Sequence, residues 1–212
     1  MSDLNDFPIA RSWLKTMSQS WFSSGADQKW LVNEVDHLNS ESVVMEVGAY
    51  QGEWAKSILE KYNCNVFLYE PLEDMFEQCK SNIGLSDKVH FHNYGLSNKN
   101  GQVDLYLNND GSSITRVSDK KITIKVVDVV EELEKISTDI DAMQINIEGA
   151  EFDLIDRLLD SGKIKNIHTL LVQFHPEGGK CDFNRRLDIQ KRLADTHIMK
   201  FNFDFVWERW DR

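Results

Sequence analysis

Glu46, Glu70, Asn146, Glu148 and His175 each stand at or just beyond the end of an apolar run, and Glu151 follows three residues after Glu148. Carboxylates, an amide and an imidazole at strand ends can bind a cofactor, orient an acceptor and move a proton. Beside the first of them runs Glu46-Val-Gly48-Ala-Tyr50-Gln-Gly52, with a glycine at each end of a five-residue turn. Glycine has no Cβ, so the backbone can turn sharply there and approach a ligand closely. Val43, Val44, Met45 and Val47 before the turn form the continuous apolar run of a buried parallel strand. The helix expected from about Gln51 to Tyr62 aims its free N–H groups back at the gap. Strand, glycine turn and helix together make the first half of a nucleotide-cofactor cleft.

The charge of that cleft narrows the cofactor. A dinucleotide fingerprint needs a middle glycine so that pyrophosphate can lie against the backbone, and here that position is Tyr50. Glu46 at the strand end would repel a pyrophosphate. Both departures disfavour NAD and favour a cationic or zwitterionic molecule such as S-adenosylmethionine. Glu70 follows Gly48 by twenty-two residues (70 − 48), ending a second strand at Asn65–Pro71. That spacing puts a carboxylate where it can accept from ribose hydroxyls.

The run Asp141–Ile147 reads as a fourth parallel strand leading through Glu148-Gly149-Ala150 into a helix from about Glu151. Glu151 alone is explained by the helix dipole. Asn146 and Glu148 at a buried strand end are not, which marks them as reactive candidates. A fifth strand, Ile167–Pro176, ends in His175 at the same rim, where an imidazole can serve as a general base or be a satisfied structural group. His90 and His92 share one face of a third strand within Lys88–Ser97. They lack a third ligand at useful spacing, so no metal is expected. The Tyr94–Ser97 turn, with Gly95, is expected at the adenine end.

Other elements must position these groups. Ile9–Leu38 reads as two helices broken near Ser23-Ser24-Gly25, with Trp13, Trp21 and Trp30 on their apolar faces. Core packing is the plainer role for these tryptophans; a lid over the acceptor site is the sharper one. Leu72–Ile83 is a helix stopped from joining the second strand by Pro71. Asp104–Thr115 alternates and turns at Asp110-Gly111, which predicts a β-hairpin. Ile122–Val127 is a further strand, and Asp128 opens a helix ending near Ile136. Asp182–Thr196 is a polar helix. His197–Asp211 gives two closing strands that turn near Asn202-Phe203-Asp204.

Bulk properties agree with one domain over 1–212: an N-terminal helical segment at 1–40, then an α/β core at 43–212. At 41% hydrophobic content, 212 residues can bury a sizeable core. The net charge of −11 offers no basic field for nucleic acid or an anionic membrane. No run reaches membrane-spanning length. Met1–Asp6 lacks a basic region and apolar core, so no secretory signal is expected. Cys64, Cys79 and Cys181 are scattered and odd in number, as for reduced structural thiols in a cytoplasmic protein. The partner expected is a small molecule or carbohydrate; oligomeric state stays open.

The stretch from about Val43 to His175 resembles the FkbM family of class I S-adenosylmethionine-dependent methyltransferases. Carrying the likeness are Glu46–Gly52, Tyr69-Glu70-Pro71, Gly111-Ser112-Ser113 and Ile145-Asn146-Ile147-Glu148-Gly149-Ala150-Glu151, the last being the most specific. The resemblance implies a Rossmann-like, doubly wound, mostly parallel seven-stranded sheet with an antiparallel last strand, here with a small β-hairpin insertion and N-terminal helices. It also implies methyl transfer, commonly to an oxygen of a carbohydrate or natural product. By motif match Glu46, Gly48 and Gly52 would line the methionine end, with Tyr50 in the same turn, and Glu70 would hold the ribose. Pro71, Gly95 and Ser113 complete the cofactor candidates. The family usually has Asp at positions 46 and 146 and Lys at position 144, where this chain has Glu46, Asn146 and Gln144.

Methyl transfer to oxygen is an in-line displacement in which alignment supplies most of the rate, and the acceptor hydroxyl must lose a proton. His175, with Glu148 nearby, is the favoured base; Asn146 would orient the acceptor by its amide and Glu151 would bind it. An NAD-dependent oxidoreductase and a non-catalytic S-adenosylmethionine-binding module are the competing readings.

Overall fold

Val43–Val47 forms β1, and a parallel sheet grows from it on both sides. The computed structural model describes residues 8–108, 111–113, 121–175 and 182–212. In order, the first elements are α1 (Pro8–Ser23), a wide π-type turn (Asp27–Asn33), β1 (Val43–Val47), α2 (Glu53–Tyr62), β2 (Asn65–Tyr69) and α3 (Glu73–Ile83). Next come β3 (Val89–His92), β4 (Gly95–Ser97), β5 (Gly101–Asn108), β6 (Gly111–Ser113), β7 (Lys121–Asp128) and α4 (Val129–Ile136). The chain closes with β8 (Ile140–Ile145), α5 (Glu151–Asp160), β9 (Ile167–Val172), α6 (Phe183–Leu193), β10 (Ile198–Phe203) and β11 (Trp207–Asp211).

The main sheet has seven strands in the order β10-β11-β9-β8-β1-β2-β3. β3, β2, β1, β8 and β9 are parallel, and β11 runs antiparallel between β9 and β10. This is the expected doubly wound sheet with its last strand reversed. The two central strands are buried on both faces, which explains their unbroken apolar runs. Met45, Val47, Met143 and Ile145 face a core shared with α4, α5 and α6. Val44 and Ala142 face the other core, under α2, α3 and the N-terminal segment.

Two expectations change. The third run does not stay one strand: Val89–His92 pairs with β2, whereas Gly95–Ser97 leaves to pair with Val126–Asp128 in a second, four-stranded sheet, β4-β7-β5-β6. The hairpin insertion is the antiparallel part of that sheet; its turn residue Asp110, the side chain of Ser113 and Cys181 lie outside what the structure describes. Trp21 and Trp30 pack into the core rather than forming a lid. Trp21 is fully buried, its ring 5.3 Å from Phe203, 5.6 Å from Phe201 and 5.6 Å from Trp30. Its indole N–H donates to Asp27 at 2.7 Å. Aromatic area buried against β10 and β11 anchors the segment.

Asp128 caps α4 by accepting from Val130 N–H at 2.8 Å. His90 and His92 stack on Phe67 and Tyr69, with ring centroids 4.3 and 4.7 Å apart. Among the described residues, no group of three or more His, Cys, Asp or Glu is arranged to hold a metal ion, and no helix is long and apolar enough to cross a membrane.

Candidate active site

The candidate residues converge on the carboxyl ends of β1, β2, β8 and β9. That is where a parallel sheet whose order reverses leaves a crevice. β1 and β8 are adjacent, and Asn146 N–H extends the pairing by donating to Val47 O at 3.0 Å. The turn beyond β1 folds back toward β2: Gly48 and Ala49 N–H both donate to Tyr69 O, at 3.0 and 3.1 Å.

The protein's own packing requires the glycines in this turn. Gly48 has φ +84°, and a Cβ there would lie 2.0 Å from the Asn146 carbonyl oxygen. Gly52 has φ +75°, and its Cβ would lie 2.6 Å from Cys79 Sγ and from Ile83 Cδ1. One glycine lets the β1 and β8 turns touch; the other lets α2 start against α3. Tyr50 between them also has a left-handed backbone, φ 50°, and an exposed ring.

Glu70 ties the turn to β2. Its Oε2 accepts from Tyr50 N–H at 2.8 Å and its Oε1 from Leu72 N–H at 2.9 Å. Burial raises its pKa, with the Leu72 and Tyr50 amides pulling the other way. Each oxygen retains a second lone pair for a hydroxyl. Gly95 lies against this corner, its missing Cβ 3.7 Å from Pro71 Cγ.

At the other side of the crevice, three residues form a line. Glu151 is wholly buried, and His175 Nδ1 lies 2.8 Å from its Oε1. The same carboxylate accepts from Ile147 N–H at 2.9 Å and Gly149 N–H at 3.1 Å. His175 Nε2 faces Glu148 Oε1 at 3.4 Å. Glu148 has φ 54°, a costly conformation for a residue with a Cβ, of the kind that persists at functional sites. Glu151 was expected to bind the acceptor, but with no exposed surface it stands behind His175 and holds it. Both His175 and Asn146 lie just past the ends of their strands rather than within them.

One residue of interest went unrecognised in the sequence as a group with chemistry of its own. Gln144 is 6% exposed and pairs in register with Glu46. Its Oε1, like Glu46 Oε2 and Asn146 Oδ1, is buried without a hydrogen-bond partner. Strand parity could have found it, since Gln144 stands two residues before Asn146.

A mostly parallel, doubly wound sheet with one reversed strand, and polar groups gathered beyond β1, β2 and β8, defines a class I Rossmann-like methyltransferase. The methyltransferase FkbM domain matches residues 46–205, and the chain belongs to that family. S-adenosylmethionine is the cofactor this implies. A search of curated proteins gave no significant match. Among solved structures the chain is similar to a provisionally assigned RNA methyltransferase from Pyrococcus horikoshii, with TM-score 0.50 at 10% identity over 89% of this chain and 83% of that one. It is also similar to an rRNA methylase from Streptococcus thermophilus, with TM-score 0.49 at 10% identity over 88% and 94%.

The residues present fit the cofactor. Asn146 Oδ1 is a buried acceptor lacking a donor, which an ammonium would supply. Glu70 has lone pairs left for ribose hydroxyls.

Proposed function

We propose that this protein methylates a hydroxyl of a carbohydrate or small natural product, with His175 as the general base. When bound, the cofactor supplies an electrophilic methyl group. Asn146 and Glu70 would hold it, at the amino-acid and ribose ends. The reading rests on one observation: His175 is gripped at Nδ1 by a buried carboxylate, 2.8 Å away. A carboxylate can only accept, so Nδ1 carries the proton, and in the neutral ring Nε2 is the basic nitrogen. Nε2 takes the acceptor's proton, and Glu148 Oε1, 3.4 Å away, meets the N–H so formed. This is the logic of a base oriented by a third group.

A neutral acceptor is favoured over RNA. Likeness to RNA enzymes at 10% identity carries the fold alone, and a chain of net charge −11 repels a polyanion.

The test is transfer of labelled methyl from S-adenosylmethionine to a panel of sugars and hydroxylated natural products. His175→Gln should lower turnover on the accepted compound by about 10²–10⁴-fold while S-adenosylhomocysteine affinity, read by calorimetry, stays within a few-fold. Transfer to none of the panel, or tighter binding of NAD than of S-adenosylhomocysteine, would overturn the reading.

A further inference from the structure

Two register partners, Glu46 on β1 and Gln144 on β8, each carry a buried side-chain oxygen without a hydrogen-bond partner. Glu46 and Gln144 are register partners, and register partners in a parallel sheet project from the same face. That face is the α2 side, because Val44 and Ala142, two residues earlier on each strand, pack there. The two residues are 4% and 6% exposed, and Glu46 Oε2 and Gln144 Oε1 are both buried and unpartnered. Buried polar atoms without partners are rare because each forfeits its hydration. Two acceptors cannot satisfy each other. A single proton placed between them satisfies both.

We propose that Glu46 is a neutral carboxylic acid that donates from Oε2 to Gln144 Oε1, so that β1 presents an uncharged side chain to the cofactor cleft. The surroundings agree. Burial raises the Glu46 pKa well above the carboxylate range, and the Glu70 and Glu53 carboxylates push the same way against the Ala55 backbone amide. The competing arrangement turns the Gln144 amide round so that Nε2 donates to an ionised Glu46. Glu46 is a positioning residue in this scheme: it latches β1 to β8 beneath the turn where Gly48 meets Asn146. It also removes a charge that would favour a cationic donor over the transition state, in which that cation is being neutralised. The inference concerns the cofactor-free chain and does not depend on the acceptor.

Infrared spectroscopy of the protein without cofactor decides it. At neutral pH, Glu46→Gln should remove one protonated-carboxyl C=O band, and Gln144→Leu should move that band to higher frequency by breaking its hydrogen bond. In thermal unfolding, an acid with a raised folded pKa loses stability as pH rises above its ordinary value of 4.5. The Tm of Glu46→Gln should therefore gain on the parent from about pH 5 to about pH 8. Identical carboxyl bands in parent and Glu46→Gln, or a Tm gap constant with pH, would overturn the proposal. If Glu46→Gln does not fold, the band's response to Gln144→Leu decides: a shift supports the proposal and no shift refutes it. Failure here leaves the methyl-transfer reading standing, because neither readout involves turnover.

Discussion

Removing the Glu151 carboxylate should cost more stability than removing any other single group at the rim. Its oxygens receive Ile147 N–H at 2.9 Å, Gly149 N–H at 3.1 Å and the His175 ring at 2.8 Å, with no exposed surface. Glu151→Ala leaves three backbone N–H groups without an acceptor, the His175 N–H at 3.4 Å being the most weakly held; the Ile147 and Gly149 groups alone, at about 1–3 kcal/mol each, give about 2–6 kcal/mol. Against a usual total of about 5–15 kcal/mol, that is a large share. At roughly 2–4 °C per kcal/mol for a chain of this length, Tm should fall by about 4–24 °C. Glu151→Gln retains one oxygen but turns an NH2 toward a donor, and should cost about 2 kcal/mol. His175→Gln removes one hydrogen bond and should cost about 0.5–1.5 kcal/mol. Urea unfolding followed by tryptophan fluorescence gives all three values. A Glu151→Ala variant within about 0.5 kcal/mol of the parent, the range of an ordinary surface substitution, would refute the view that this carboxylate organises the loop.

Gly48→Ala should destabilise the whole protein as well as weaken cofactor binding, because its methyl meets the Asn146 carbonyl at 2.0 Å; an unchanged Tm would contradict this. His168 and His197 have pKa values lowered by burial, so their share of stability is full above about pH 6.5 and is lost as pH falls. His197→Gln should therefore show a smaller drop in urea midpoint between about pH 7.5 and about pH 5.5 than the parent; an equal or larger drop would be wrong for this account. Burial raises the Cys64 and Cys79 thiols to about 11 and about 12. Iodoacetamide should leave both unmodified in the native protein while labelling them in urea, as peptide mapping can show.

Much of the architecture was legible because it is written in local periods. The apolar runs at Val43–Val47 and Ile140–Ile145, the glycine turn and Asp128 as a helix cap each depend on neighbours within a few residues. The two closing strands within His197–Asp211 were visible for the same reason, while the reversal of the last one was implied by the family resemblance alone. The break of Lys88–Ser97 into two sheets was not, since its residue types suit a strand throughout. Only the competition between β2 and β7 for pairing partners divides it. Trp21 was legible as a buried group but not as to what buries it. Phe201, Phe203 and Trp207 lie far along the chain, and no pattern near Trp21 points to them.

For the candidate site, the amino-acid order determined which polar groups would reach the carboxyl edge of the sheet, because strand ends are set by where apolar runs stop. Tertiary packing decided what each one touches there. Gly48 is forced by an Asn146 carbonyl close to a hundred residues away in sequence. Glu151 serves His175 rather than an acceptor, and Glu46 lies beside Gln144. Each of these is a relation between separate elements, and residue type and spacing along one element carry no information about its neighbour until the sheet order exists.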